Sequence, residues 1–141
     1  MADRDVRASL TFRRGFATDR VRAKREKLMT KITVSPAEGT WSVRSDDGVL
    51  VESRNALSLV EDDMGFVIYF PRADVAMALL ERTETTTESP HKGTANYYSY
   101  IGQSAQIMDV AWTYEDVTNP DAKAVEGHLA FYDTKVTIEQ I

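Results

Sequence analysis

Apolar residues after position 31 alternate with polar ones at a period of two. Trp41 and Val43 give the first clear example, and Asp47-Gly48 then interrupts the pattern. A period of two places successive side chains on opposite faces of a β-strand, and Asp-Gly is a strong hairpin signal. The chain is therefore predicted to be built mainly from antiparallel β-strands.

Several more segments carry strand patterns separated by turn residues. Residues 66–70 form a continuous β-prone run, which predicts a strand buried on both faces. A polar, extended connection is expected at 83–90, because β-branched residues dominate it. The other expected elements of the C-terminal half are strands at 94–101 and 106–113 and a last hairpin joining 127–132 to 135–140. About nine short strands at this spacing are typical of a barrel or a sandwich of curled antiparallel strands.

One helical signal interrupts the strand patterns. Pro71 ends the apolar run and is favourable in the first turn of a helix. Val75 with Leu79, and the neighbouring pair one residue later, repeat at the i,i+4 spacing of a helix face. The pattern predicts one short helix near 72–80, so the fold class is mainly β, or β-rich α+β.

Positive charge is concentrated at the start of the chain, although the net charge is -5. Residues 1–31 contain ten Lys/Arg and four Asp/Glu, whereas residues 32–141 contain seven and eighteen. Residues 1–28 are therefore interpreted as a flexible basic extension, and residues 29–141 as a single β domain. A basic arm that binds an acidic surface or nucleic acid, or a targeting peptide, is the alternative for residues 1–28. The acidic composition of the main domain argues against nucleic-acid binding there.

The residue inventory excludes several kinds of site. The chain has no cysteine, which rules out disulfides, thiolate metal sites and thiol nucleophiles. It has only two histidines, so a His-rich metal site is also excluded, and no metal or cofactor is predicted. No apolar run approaches the ~20 residues that span a bilayer. We therefore expect a cytoplasmic protein with no membrane contact.

Cations and aromatic residues are concentrated in the three segments 69–74, 90–98 and 112–116. Arg72 lies at the start of the predicted helix, where a guanidinium and a helix N-terminus both favour a carboxylate or phosphate. Lys92-Gly93 pairs an ammonium with a residue that lets backbone approach a ligand closely. The segments predict a polar-aromatic pocket for a small anionic ligand. The candidate ligand-binding residues are Arg72, Asp74, Lys92, Gly93, Tyr98, Trp112, Tyr114 and Glu115.

Two other functions remain open from the same residues. The first is an enzyme of transferase or hydrolase type, with Glu115 or His128 as the base and Lys92 as an electrostatic stabiliser. The second is a structural or interaction domain without a ligand, in which these residues form a salt-bridged clasp. A homodimer through an exposed strand edge is a further alternative.

Five segments that occur in order along the chain carry a family resemblance. They are Pro36 to Trp41, Tyr69 to Val75, Thr86 to Tyr98, Ala111 to Glu115 and Gly127 to Tyr132. Together they resemble the DUF427 family of small β-rich domains, sometimes labelled nucleotidyltransferase-type, over about Ile32 to Ile138. Nucleotidyl transfer usually needs two metal-binding carboxylates close together and a glycine-serine phosphate loop, and neither pattern stands out here.

The resemblance implies a single β-rich domain with a defined set of polar positions. Family members often carry a cysteine directly before the proline of the segment that begins here at Pro90. This chain has Ser89 at that position, so a cysteine-dependent activity is not expected. The implied polar positions are Arg72, Asp74, Lys92, Tyr114 and Glu115.

Overall fold

Antiparallel strand pairing accounts for most of the regular structure in residues 31–62 and 64–141, the residues that a computed structural model of the chain describes. The predicted extension, residues 1–28, lies outside them. The strands are β1 (Ile32–Pro36), β2 (Trp41–Ser45), β3 (Gly48–Ser53), β4 (Leu57–Glu61), β5 (Phe66–Tyr69), β6 (Leu80–Ser89), β7 (Gly93–Ile101), β8 (Gln106–Tyr114), β9 (Leu129–Phe131) and β10 (Thr137–Gln140). The prediction of a mainly β fold is confirmed.

These strands form three antiparallel sheets, in the orders β1-β4-β5, β10-β2-β3 and β6-β7-β8-β9. An isolated bridge between Phe70 and Leu129 joins the end of β5 to β9 at the edge of the four-stranded sheet. A second bridge, between Val51 and Val75, ties the segment after β5 to β3. Within the described residues no sheet closes on itself, so the arrangement is sandwich-like rather than a barrel.

The four-stranded sheet is covered on both faces by apolar clusters. Tyr98 belongs to the first cluster and Tyr97 to the second, as the alternation of side chains along β7 requires. The most buried members of the first cluster include Val43, Val51, Phe70, Val110 and Leu129. Those of the second include Leu59, Tyr69, Ala95, Val117 and Val125. Because both faces are occupied, polar side chains of β7 and β8 reach solvent mainly near the strand ends.

Residues 72–80 form two short 3-10 turns instead of the predicted two-turn α-helix. The turns are Arg72–Asp74 and Met77–Leu79. Between them Val75 is extended, with φ -105° and ψ 137°, and bridges Val51. Pairing with β3 therefore interrupts the helix that the i,i+4 spacing favours. Among the described residues, no helix has the length and apolar character needed to cross a bilayer.

The hairpin predicted for the last two strands is wrong. β9 pairs with β8, and β10 pairs with β2, where Thr137 lies opposite Arg44. In the intervening turn the N–H groups of Lys135 and Val136 donate to the carbonyl of Tyr132. The side chain of Val136 is buried in the first apolar cluster, and this contact directs the chain to the other sheet.

The Thr-rich polar segment is a paired strand, β6, and not a connection. β6 pairs with β7 at both ends, and a bulge interrupts the register between Arg82 and Thr86. In the bulge, the hydroxyls of Thr83 and Thr85 donate to the Asp109 carboxylate at 2.7 and 2.8 Å. β6 lies at the edge of its sheet, where a polar β-branched sequence is tolerated because few of its side chains are buried.

β5 is buried only towards its C-terminal end. Phe66 is 61% exposed, whereas Tyr69 and Phe70 are 1% and 0% exposed. The prediction of a strand buried on both faces is therefore wrong for the start of the run. Phe66 pairs with Val60 at the outer end of its sheet, where the residue is mostly exposed.

Candidate functional site

The β7–β8 hairpin carries half of the eight candidate ligand-binding residues, and its register decides which of them share a face. Tyr97, and not Tyr98, lies opposite Trp112. Because side chains alternate along a strand, Tyr98 and Trp112 lie on opposite faces of the sheet. Tyr114 shares the face of Trp112, and Glu115, directly after β8, lies towards the face of Tyr98. The predicted site is thus divided between two faces.

On the Tyr98 face, two arginines converge on one carboxylate. Nη2 of Arg72 lies 3.7 Å from Oε2 of Glu115, and Nη1 of Arg82 lies 3.5 Å from the same oxygen. Arg72 also donates to the Tyr98 hydroxyl at 3.4 Å, and its Cζ lies 5.9 Å from the centre of that ring. We call these four residues the arginine cluster. The side chains of Arg72, Arg82 and Glu115 are 40%, 52% and 40% exposed, so solvent and solutes reach them.

Lys92 lies on the other face and is already paired. Its Nζ donates to Oε1 of Glu61 at 2.6 Å, and the two side chains are only 11% and 22% exposed. The ammonium also lies 5.7 Å from the centre of the Tyr114 ring, within the range of a cation–π contact. Lys92 therefore joins the end of β4 to the β6–β7 turn, and it does not share a site with Arg72 and Glu115.

Two phenols beside the Lys92–Glu61 pair are strongly desolvated. Burial raises the pKa of Tyr69 to about 12. Burial likewise raises the pKa of Tyr114 well above its ordinary value, and Ser89, in the position of the expected cysteine, lies beside that phenol. The Oγ of Ser89 also accepts a hydrogen bond from the His91 N–H at 3.3 Å. Both phenols therefore remain neutral at physiological pH beside this tightly paired lysine.

Gly93 adopts a backbone conformation that other residues rarely take. Its φ is +104°, and a β-carbon at this position meets the Asp116 carbonyl oxygen at 3.0 Å. The group that lies close to the Gly93 backbone is therefore the Asp116 carbonyl, just after β8, whereas the sequence predicted a close approach to a ligand.

Replacing Gly93 with alanine is expected to lower the free energy of unfolding by about 1–3 kcal/mol, because the strained φ and the close contact act together. Chemical denaturation of the purified variant measures the loss. Gly65→Ala is the matched control, since Gly65 also has a positive φ, +82°, but a β-carbon there meets nothing within 4 Å beyond its chain neighbours. Equal losses in the two variants would show that the Asp116 contact contributes nothing.

The other predicted site residues contact partners outside the arginine cluster. Asp74 accepts a hydrogen bond from the Ser53 hydroxyl at 2.6 Å, which holds the first 3-10 turn against the end of β3. Trp112 packs on Tyr132 at a centroid distance of 4.6 Å. His128 is partly buried, and its Nδ1 lies 3.3 Å from the Glu126 carbonyl oxygen.

Within the described residues, neither a cluster of metal-binding side chains nor the cleft described next includes a predicted site residue. Within residues 31–62 and 64–141, no three histidine, aspartate or glutamate side chains come close enough together to hold a metal ion. An open cleft of about 450 Å³ lies between the end of β2 and the turns before β8 and β10. Its lining includes Arg44, Ile107 and Lys135 but no predicted site residue.

Sequence reasoning missed two charged partners of the predicted site residues, Arg82 beside Glu115 and Glu61 beside Lys92. Arg82 lies opposite Tyr98 in the β6–β7 register, which became visible only once the Thr-rich segment was paired as a strand. Glu61 stands in an acidic run that resembles a solvated turn, so its sequence context carries no signal of burial. The β-propensity of the threonine-rich segment is a sequence signal that places Arg82 on a strand beside the predicted site. The burial of Glu61 has no such signal and follows only from the tertiary structure.

Comparison with known proteins identifies the family of the chain. The family model described as Domain of unknown function (DUF427) matches residues 33–141. No curated protein matches the chain. The matched region includes β2 to β10 and every residue of the arginine cluster and of the Lys92–Glu61 pair. The chain therefore belongs to the DUF427 family.

Proposed function

We propose that the arginine cluster binds a small molecule through a carboxylate or phosphate group. The observation that carries the proposal is the convergence of two partly exposed guanidinium groups on one carboxylate oxygen beside an aromatic ring. Planar guanidinium forks match carboxylates and phosphates, and aromatic rings contact the apolar part of a ligand. The proposal keeps the predicted anionic ligand but replaces Lys92 with Arg82, because Lys92 is bound to Glu61 on the other face.

The distances within the cluster support an exchangeable counter-ion. Charge-assisted N–H to oxygen bonds are usually about 2.7–2.9 Å long. The Arg44–Glu139 and Lys92–Glu61 pairs, at 2.7 and 2.6 Å, are at or slightly below this range. The contacts of Arg72 and Arg82 with Glu115 are longer, at 3.7 and 3.5 Å. Glu115 thus offsets one of the two positive charges without saturating the guanidinium donors, and a soluble anion can compete with it.

The two rival functions receive different support from the contacts. The clasp alternative describes Lys92 well, since that residue joins two segments through a short, mostly buried ion pair. For the enzyme alternative, the two candidate bases do not contact each other in the described part of the chain. Glu115 contacts arginines, while His128 contacts the Glu126 carbonyl. We therefore assign Glu115 the role of counter-ion in this proposal.

The test is an NMR titration of the full chain with acetate and with inorganic phosphate at low ionic strength. We expect saturable shifts at the arginine cluster, and a loss of about tenfold or more in affinity in Arg82→Ala, because each charged hydrogen bond is worth about 1.5–3 kcal/mol. Arg44→Ala is the matched control, since it removes the same charge from another exposed ion pair. Its affinity should stay within about twofold of the unchanged chain, because distant surface charges are screened.

Glu115→Gln tests whether Glu115 acts as a competing counter-ion. If Glu115 is a competing counter-ion, removing its charge should strengthen anion binding by roughly twofold or more, since it breaks two exposed ion pairs that are each worth about 0.2–1 kcal/mol. Weaker binding in Glu115→Gln, or equal losses in Arg82→Ala and Arg44→Ala, would contradict the proposal. Absence of any shift at the cluster with either anion would also contradict it.

A further inference from the structure

We propose that Asn96 and Thr113 form a neutral polar floor beneath the arginine cluster, and that this floor selects a carboxylate carrying a neighbouring hydroxyl group. The inference rests on the proposed anion site and deepens it by naming the ligand class. Three independent features carry it: the strand register, two unpartnered polar side chains, and the charge of the site.

The register places Asn96 and Thr113 between the two ends of the cluster. Asn96 lies directly opposite Thr113, on the face shared with Tyr98. Arg82 pairs with Tyr98, which lies one cross-strand row to one side of Asn96 and Thr113. Glu115 follows the end of β8 and lies one row to their other side. The ion pair between Arg82 and Glu115 therefore spans the row that contains Asn96 and Thr113.

Both floor residues have unused hydrogen-bonding groups. Thr113 is 0% exposed, and its Oγ1 has no hydrogen-bond partner in the described part of the chain. Asn96 is partly buried, and its carboxamide makes no hydrogen bond within residues 31–62 and 64–141. Buried polar groups without partners are rare in folded proteins, and each calls for an explanation. A ligand hydroxyl, which both donates and accepts, satisfies Asn96 and Thr113 once the Glu115 side chain yields its place.

The charges of the site favour a monocarboxylate over a phosphate. Arg72 and Arg82 carry two positive charges and Glu115 one negative charge, so the cluster has a single excess positive charge. Residues 32–141 contain eighteen acidic and seven basic residues, and this acidic surround repels a dianion. The Glu115 carboxylate already shows that a carboxylate fits between the two guanidinium groups.

The experiment compares acetate with glycolate, which differ by one hydroxyl group, by NMR titration of the full chain. We expect glycolate to bind about fivefold or more tightly than acetate, since a buried hydrogen bond is worth roughly that factor. Thr113→Val and Asn96→Ala should each reduce this preference to less than about twofold.

Thermal unfolding of the free protein distinguishes a binding role from a structural one. Thr113→Val exchanges an unpartnered buried hydroxyl for a methyl group and should keep or raise Tm, while it removes the glycolate preference. Ser42→Ala is the control, because Ser42 is 3% exposed in β2 and its Oγ is likewise unpartnered in the described residues. It should keep or raise Tm and leave the preference intact.

Each outcome of these measurements bears on one of the two proposals. If glycolate and acetate both bind at the cluster with equal affinity, or if the preference survives in both variants, the hydroxyl-selective floor is wrong and the anion site stands. If neither probe shifts the arginine cluster, the anion site is wrong and the floor proposal fails with it. Should Thr113→Val be unstable, Asn96→Ala still decides the question, because its side chain is partly exposed.

Discussion

Replacing Lys92 with alanine is expected to lower the free energy of unfolding by about 3 kcal/mol or more, because it leaves a mostly buried carboxylate without its partner. Glu61 is 22% exposed at the side chain, and its Oε1 lies 2.6 Å from the Lys92 ammonium. The variant also loses the contact between that ammonium and the Tyr114 ring. Urea denaturation of the variant and the unchanged chain measures the difference.

Two further variants identify the cause of the loss. The double substitution Lys92→Met with Glu61→Leu should restore most of the stability, since a buried ion pair can often be replaced by apolar residues of similar volume. Arg44→Ala, at an ion pair with side chains 47% and 42% exposed, should cost only about 0–1 kcal/mol. If Lys92→Ala costs no more than Arg44→Ala, then the Lys92–Glu61 pair is not a structural clasp.

Phe70→Ala should cost about 3–5 kcal/mol, the usual penalty for removing a fully buried aromatic ring. Phe70 is 0% exposed and packs edge-on against Phe131 at a centroid distance of 6.1 Å. Its backbone exchanges hydrogen bonds of 2.8 and 2.9 Å with Leu129, which joins two of the sheets. Since Arg72 follows two residues later, we also expect the variant to weaken anion binding at the arginine cluster.

Calorimetric unfolding of three variants tests the role of this ring. Phe70→Leu keeps most of the apolar volume and should lose less than half as much stability as Phe70→Ala. Phe66→Ala removes the same kind of side chain at the start of β5, where it is 61% exposed, and it should change stability by less than about 0.5 kcal/mol. A comparable loss at Phe66 would mean that ring burial at Phe70 is not the main source of the effect.

Local patterns were sufficient for much of the β-structure. Alternation around Trp41 and Val43, with Asp47-Gly48 as the turn, predicts the hairpin that β2 and β3 form. The strands expected at 94–101 and 106–113 correspond closely to β7 and β8. These elements are adjacent in the chain and joined by short turns, so alternation and turn residues specify them without reference to the rest of the fold.

Elements that depend on distant partners were predicted poorly. The i,i+4 spacing of residues 75–80 favours a helix, but the bridge from Val75 to Val51 holds this segment in extended form. The predicted last hairpin fails because β10 pairs with β2, which lies nearly a hundred residues earlier in the chain. No local pattern reports such a partner, since propensity and periodicity reflect only neighbouring residues.

The candidate site divides in the same way between local and distant information. The sequence by itself determined the β class, the β7–β8 hairpin and the side-chain types of the site, because these follow from periodicity and composition. Only the tertiary structure decided that Arg72 and Glu115 meet Arg82, while Lys92 meets Glu61 on the opposite face. The physical reason is that alternation assigns relative faces within one hairpin, whereas the packing of β4, β6 and the turn after β5 determines which charge lies over each face.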